Sequence, residues 1–425
     1  MKLSEYILTE KNNNLKKRII FHIDVNNAFL SWTAVHMLIN GADVDIRNIP
    51  SVIGGDEENR HGIVLAKSPV AKQFGIKTGE PLYFARKKCP NIKVYKGNFK
   101  VYKEYSNAMI EIFKQYTDKI EQYSIDECSL DLTQFLLPEE NIYEKAKRIS
   151  TEIKEKLGFT VNIGIANNKV LAKMASDFEK PDKIHTLYDE EIKNKMWPLP
   201  ISDLYMVGKR SILKFEKMGI KTIGDLANYD VNRLIKKFGK YGKMVWEYAN
   251  GIDNSPVKVN EDKPKGIGNS ITLPSDISNI EKLNEILLNL VEQVAYRLRK
   301  QKMLAYVVDV QIKTNEFKVY SHQKKMSFPT DTTVQIYNEA KILLNELYNK
   351  SNNKLIRLIG IRVDHLIEPE NSQITLFDII EDNKTTIKQK KLDKMIDSLK
   401  DKYGYNIVTR AVSIKSDINT DKNKI

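Results

Sequence analysis

Apolar and polar positions along the chain fall into short runs that change period several times, which predicts an alternation of strands and helices. Arg18 to Val25 (RIIFHIDV) is a β-rich run that closes on an acid, and Asn26 to Val35 continues as a helix. Residues 51–68 (SVIGGDEENRHGIVLAKS) hold two apolar runs around a Gly-rich polar turn, the pattern of a hairpin. Val70 to Gly75 reads as a short helix ending at glycine, and Phe99 to Tyr116 as a longer one. The stretch IEQYSIDECSLDL (120–132) reads as two short strands hinged on Asp126 and Glu127. Tyr143 to Leu157 has helical amphipathicity, 159–166 is a strand, and 168–180 is a helix stopped by Pro181.

The second half has a different texture. Residues 198–250 are short helices punctuated by glycines, and Pro256 to Gly266, with Lys263-Pro264-Lys265, reads as a linker. A second α/β pattern follows: GIGNSITLPSDI (266–277), a helix over 280–302, strands at 304–314 and 317–326, a helix over 333–349 and a strand at 355–365. Beyond Pro369 the residues turn polar, apart from ITLFDII and a helix around 392–403. No internal repeat is visible. The fold class expected is multidomain α/β with an α+β unit in which strand, helix and hairpin converge on acids.

Composition narrows the picture. A chain of 425 residues exceeds one compact core, so two to four domains are expected. No apolar run approaches the roughly 18 residues that span a bilayer, and the opening MKLSEYILTEKNNNLKKR lacks the apolar core of a secretion signal. Cys89 and Cys128 are too few for a disulfide scaffold or a multi-cysteine zinc site. These features predict a cytoplasmic protein with no membrane association. A net charge of +13 points to a polyanionic partner.

The acids carry the chemistry. Asp24 ends an apolar strand just before a helix, and Asp126 and Glu127 lie at a hairpin tip. Adjacent carboxylates are either a solvated turn or a metal site, because burying like charges without a counter-ion is unfavourable. If the strands neighbour each other, three carboxylates meet at one sheet edge, and hard oxygen donors in that number suit Mg²⁺. Two such ions activate a hydroxyl and stabilise a leaving oxygen.

HIDVNNAFLSW (22–32), YSIDECSLDL (123–132) and NIGIANNKVLAKMASDFEKPDKI (162–184) together resemble the signature blocks of the Y-family DNA polymerases, including the polymerase IV (DinB-like) and UmuC-like branches. The resemblance spans residues 18–366 and points to a Gram-positive polymerase IV/UmuC-like branch. It implies a right-hand polymerase: a palm (18–28 and 96–186), fingers (29–95), a thumb with a helix-hairpin-helix (187–256), a linker (257–265), a little finger (266–367) and a tail (368–425). It implies that Asp24, Asp126, Glu127 and the Val25 carbonyl hold two Mg²⁺ ions, and that Phe29 is the gate against a ribose 2′-OH. Lys180 matches the lysine that meets the triphosphate. Ser68-Pro69-Val70-Ala71-Lys72 stands where polymerase IV-like members carry Ser-Tyr-x-x-Arg, so Ser68 and Lys72 are expected to contact the nucleotide without the bidentate fork of an arginine.

GGDEE (54–58) resembles the box of diguanylate cyclases, but it falls between Asp24 and the 126–127 pair and lacks the final Phe, so that reading is set aside. LYMVGKRSILKFEKMGIKTIGDLA (204–227) resembles a helix-hairpin-helix in which Met206 replaces the usual first glycine and Gly208 is retained; Gly208 and Lys209 are then expected at a DNA phosphate. In the last unit Lys313, Lys318, Lys324, Lys325, Arg357 and Arg362 lie on strand candidates that could track a sugar-phosphate backbone. QITLF resembles the peptide that docks on the bacterial sliding clamp, through Gln373, Leu376 and Phe377. The expected activity is template-directed, low-fidelity DNA synthesis in lesion bypass by a monomer using primer-template DNA and dNTPs. The competing reading is a non-catalytic DNA- and clamp-binding protein on the same fold, against which the three acids argue.

Overall fold

The computed structural model describes residues 18–55, 62–135, 140–259, 263–369 and 384–408. The chain divides into two compact units, residues 1–54 with 64–261, and residues 262–425 with the short segment 55–63. Among the described residues no helix is long and apolar enough to cross a membrane.

The first unit is built around β1 (Ile20–Val25), in which all six residues are buried. Helix α1 (Ala28–Ile39) follows. Leu30 and Ala34 pack with the hairpin strands, whereas Trp32 and Val35 pack with the central sheet, so α1 is apolar on more than one side. β2 (Ser51–Gly54) and β3 (Val64–Lys67) form the expected hairpin. Then come α2 (Pro69–Gln73), α3 (Leu82–Lys88) and β4 (Lys93–Lys96), which pairs parallel to β2. Helix α4 (Phe99–Phe113) leads to β5 (Ile120–Gln122) and β6 (Glu127–Asp131), then to α5 (Ile142–Leu157), β7 (Val161–Ala166), α6 (Lys169–Ser176) and β8 (Ile184–Thr186). The main sheet has the order β5-β6-β1-β7-β8, with β1 at its centre, antiparallel to both neighbours. A central strand covered on both faces is continuously apolar, and the polar residues it keeps therefore call for a reason.

Helix α6 ends at Ser176, four residues short of the expected stop at Lys180. The fully buried Asn162 on β7 donates to the carbonyls of Ser176 (3.0 Å) and Glu179 (2.6 Å), so a side-chain amide takes over what another helical turn would have satisfied. The helix lies very close to the sheet. A Cβ on Gly164 would run into the Ala172 carbonyl oxygen and the Ser176 amide nitrogen, so only glycine permits this approach. Short helices α7 (Lys209–Glu216), α8 (Ile223–Ala227), α9 (Val231–Phe238) and α10 (Lys240–Ala249) complete the unit.

The second unit contains β9 (Gly266–Ile277), α11 (Ile280–Lys300), β10 (Leu304–Thr314), β11 (Val319–Thr330), α12 (Thr333–Lys350), β12 (Ile356–Ile367) and α13 (Lys384–Tyr403). Its antiparallel sheet has the order β11-β10-β12-β9, and α11 and α12 bury their apolar stripes against one face. Helix α13 begins eight residues before the expected position 392. It docks through charge: Arg299 of α11 bonds Asp397 at 2.6 Å, and Asp393 accepts from the Thr333 amide at 2.9 Å.

Candidate active site

Asp24 and Glu127 are direct partners across the β1–β6 ladder, so their side chains share one face of the sheet. His22 lies two residues back on β1 and on the same face. A ring nitrogen of His22 and one carboxylate oxygen each of Asp24 and Glu127 lie within 4.8 Å of one another, and they are the group of metal-ligating side chains that the described residues bring together. The expected trio was Asp24, Asp126 and Glu127. Asp126 is adjacent, since its carbonyl accepts from the Val25 amide at 3.0 Å, but its carboxylate accepts from Ser124 Oγ at 2.5 Å and stays outside that group.

Two lysines supply counter-charge. Lys173 Nζ lies 2.6 Å from Glu127 and 3.1 Å from Asp24; Lys180 Nζ lies 2.8 Å from Asp24 and 2.9 Å from Asp177. Burial pushes the Asp24 carboxyl up, but Lys180 and Lys173 overcome it and hold the group below the usual carboxylate range. Burial pushes Glu127 up, and the Asp24 charge adds to this against the opposing bond from Lys173. Burial likewise opposes the Lys173 ammonium, yet Asp24 and Glu127 raise it above an ordinary lysine. His22 is driven down to about 3 by burial, assisted by Lys173, so its imidazole is neutral. The donor chemistry fits a divalent cation: two carboxylates brought together on one sheet face, where the Lys173 and Lys180 ammonium groups supply the positive charge that the pair requires.

The loop from β1 to α1 is fixed from below. Asn26 Nδ2 donates to Asn162 Oδ1 at 3.0 Å, and its Oδ1 accepts from the Asp182 amide at 2.8 Å. This ties the segment carrying Lys180 to the end of β1. Phe29, on the first turn of α1, stacks on Tyr102 at a centroid distance of 4.8 Å and meets Phe99 edge-on at 5.6 Å. Its ring is half-buried and held in place by aromatic neighbours.

Ser68 turns inward. It is fully buried, and its hydroxyl donates to the Ile49 carbonyl (2.7 Å) and accepts from the Ala71 (2.9 Å) and Ser51 (3.2 Å) amides. One donor and two acceptor positions are thereby used, and Ser68 caps α2. Lys72 sits in the last turn of that helix.

In the helical hairpin, Met206 has φ +70°, the left-handed conformation that glycine adopts without strain. The position thus keeps a glycine's geometry without the glycine. Gly208 is the N-cap of α7, with no side-chain cap and open space where a Cβ would project.

In the second unit, strand register sorts the basic residues. Lys325 pairs with Val307, Arg362 with Asp309, and Lys313 with Leu358, all on the sheet face opposite the helices. Lys324 pairs with fully buried Val308, so it points to the helix side, where it meets Glu339 at 2.8 Å. Lys324 and Lys325 therefore do not share a surface. Arg362 grips Asp364 with two bonds of 2.7 and 2.8 Å. Lys318 lies over the Tyr320 ring and Arg357 over Phe317. Gln373, Leu376 and Phe377 fall outside the described residues.

Sequence reading missed His22, Lys173 and Asn162. His22 and Lys173 stand inside the quoted motifs, but only the strand register and the helix phase aim them at the acids.

Comparison with known proteins agrees with this geometry. Residues 23–177 match the impB/mucB/samB family, residues 264–376 its C-terminal domain, and residues 202–253 the thumb domain of DNA polymerase iota. The chain is 49% identical over 400 residues to DNA polymerase IV of Clostridium acetobutylicum, covering 94% of this chain and 99% of that protein. It is 34% identical to DNA polymerase IV 1 of Bacillus subtilis, covering 95% and 94%. Among solved structures, a Y-family polymerase chimera of Dbh and Dpo4 superposes with a TM-score of 0.73 at 24% identity, covering 82% of this chain and 99% of that one.

Proposed function

The chain belongs to the impB/mucB/samB family of Y-family, DinB/UmuC-like DNA polymerases, and from that premise we propose how it carries out template-directed, low-fidelity DNA synthesis past lesions. The observation that carries the reading is the pairing of Asp24 with Glu127 at the centre of the main sheet, backed by Lys173 and Lys180. Asp24, Asp126, Glu127 and the Val25 carbonyl would hold two Mg²⁺ ions. Bound there, the ions would lower the cost of ionising a primer 3′-OH and of charge on the leaving oxygen in an in-line displacement at the α-phosphate of a dNTP.

The protein's own groups prepare that step. Lys180 and Lys72 offer point charges to the triphosphate. Phe29, braced by Tyr102 and Phe99, blocks the space beside the sugar's C2′. The exposed amides at Gly208 and Lys209 take a DNA phosphate, and Lys313, Lys325 and Arg362 on the open sheet face, with Lys318 and Arg357 at its edge, follow the backbone. Lys324, turned to the helix side, has at most a rim position. In this reading the main sheet is the palm (18–28 and 96–186), the hairpin layer the fingers (29–95), the helices of 187–256 the thumb, and the second sheet the little finger (266–367). Gln373, Leu376 and Phe377 dock a bacterial sliding clamp, and the polymerase works as a cytoplasmic monomer.

Primer extension with Mg²⁺ and dNTPs tests the reading, with the wild type set against an Asp126→Ala, Glu127→Ala double variant. Extension by the wild type alone is expected. Equal extension by both would detach the acids from catalysis, and no extension by either, with DNA binding intact, would favour a non-catalytic role.

A further inference from the structure

We infer that His22 supplies a nitrogen ligand to the ion gathered by Asp24 and Glu127, tuning the site toward divalent ions that accept imidazole, Mn²⁺ ahead of Mg²⁺. This rests on the metal-site reading above and goes beyond its all-oxygen donor set.

The imidazole is 2% exposed, and its Nε2 has no hydrogen-bond partner. A buried, unpaired ring nitrogen is costly, and the large majority of such groups find a partner in folded proteins. The other nitrogen is oriented: Nδ1 faces Ser129 Oγ at 3.4 Å, and Ser129 is the residue directly across the ladder from His22. Metal-bound histidines are held in this manner, one nitrogen on the ion and the other on a neighbouring polar atom that sets tautomer and ring plane. Strand geometry does the rest, since positions 22 and 24 of β1 share a face, and Glu127 faces Asp24 from β6.

The surroundings leave Nε2 no obvious protein partner. His22 and Glu127 line a cavity of about 120 Å³ whose other walls include Tyr123, Lys169, Tyr205 and Asp253. The Tyr123 ring stands beside the imidazole at 5.8 Å between centroids, in a tilted arrangement. Nε2 is thus buried and unpaired on a ring one of whose nitrogens lies within 4.8 Å of a carboxylate oxygen of both acids. Mg²⁺ prefers oxygen and gains little from imidazole, whereas the affinity of a mixed nitrogen and oxygen site for first-row divalent ions starts at Mn²⁺ and rises along the row.

The test is pulsed electron paramagnetic resonance on the full-length protein loaded with one equivalent of Mn²⁺, which reads ¹⁴N coupling directly and needs no turnover. The wild type should show an imidazole ¹⁴N modulation. His22→Gln, which keeps a polar group beside Ser129, should lose the modulation and bind Mn²⁺ about tenfold more weakly, with Mg²⁺ affinity little changed. Bound Mn²⁺ without ¹⁴N coupling in the wild type, or coupling that persists in His22→Gln, would overturn the assignment while leaving the carboxylate site standing. Mn²⁺ affinity indifferent to Asp24→Ala would instead sink the metal-site reading and this inference with it. Should His22→Gln fail to fold, the wild-type spectrum decides alone.

Discussion

Asp24 and Glu127 face each other across two antiparallel strands, and the Lys173 ammonium lies between them at 3.1 and 2.6 Å. Two carboxylates brought so close repel, and the lysine offsets that repulsion. Lys173→Met should therefore destabilise the metal-free protein by up to about 3 kcal/mol. Saturating Mg²⁺ should recover part of the loss, because an ion that binds only the folded state stabilises it. Urea denaturation with and without Mg²⁺ measures both effects; a variant as stable as wild type without metal would count against the counter-charge role.

Phe29→Ala opens the space that the Phe29–Tyr102–Phe99 stack closes. Ribonucleotide insertion relative to deoxyribonucleotide insertion should rise by at least about tenfold, as steric discrimination is lost. Single-nucleotide kinetics with matched dNTP and rNTP pairs give the ratio. An unchanged ratio would return Phe29 to the role of an aromatic packing residue.

Asn162 is fully buried and makes four hydrogen bonds, donating to Ser176 and Glu179 and accepting from Asn26 and the Lys183 amide. Asn162→Ala strands several of these partners and should cost about 2–4 kcal/mol. It should also raise KM for dNTP, because the segment carrying Lys180 loses its anchor. Thermal unfolding and steady-state kinetics on one preparation separate the two effects.

Met206 and Gly208 make a paired test of the helical hairpin. Met206→Gly relieves a left-handed backbone and should stabilise the protein by up to about 1 kcal/mol. Gly208 has an ordinary φ and open space at its Cβ position. Gly208→Val should therefore fold normally yet weaken primer-template binding by blocking a phosphate, as fluorescence anisotropy would detect.

Asp309 is pushed above the usual carboxylate range by burial and by Asp364, with Arg362 only partly compensating. A group whose pKa rises on folding stabilises the protein when protonated, and that contribution is lost as pH climbs through the folded-state value. At neutral pH Asp309 is consequently a burden, and Asp309→Asn should be more stable than wild type there. The difference should shrink as pH falls from the raised folded-state value to the ordinary aspartate range. Denaturation midpoints at pH 7 and pH 4 would show the trend or refute it.

Elements with long or clean periodicity were legible in advance. The strand at 304–314 is found as expected, and the helix over 280–302 ends two residues early, at Lys300. Helix α3 and strands β4 and β8, at seven, four and three residues, are too short to show a period. Strand β11 runs four residues past its expected end at 326, because partners on β10 extend the ladder to Thr330. Helix α6 stops early because the side-chain amide of Asn162, on β7, captures the carbonyl of its last residue, Ser176, and that of Glu179 beyond it.

The sequence by itself determined the family, the order of elements and the acidic residues at strand ends, since these depend on residue type and on spacing within a segment. Tertiary structure alone decided which side chains meet. Register set Asp24 against Glu127 and turned Lys324 rather than Lys325 to the helix side; a one-residue slip would have reversed both. The packing of α6 on β7 brought Lys173 to Asp24 from 149 residues away, and the Ile49 carbonyl and Ser51 amide turned Ser68 inward. Such contacts join positions remote in the chain, where no local pattern can encode distance.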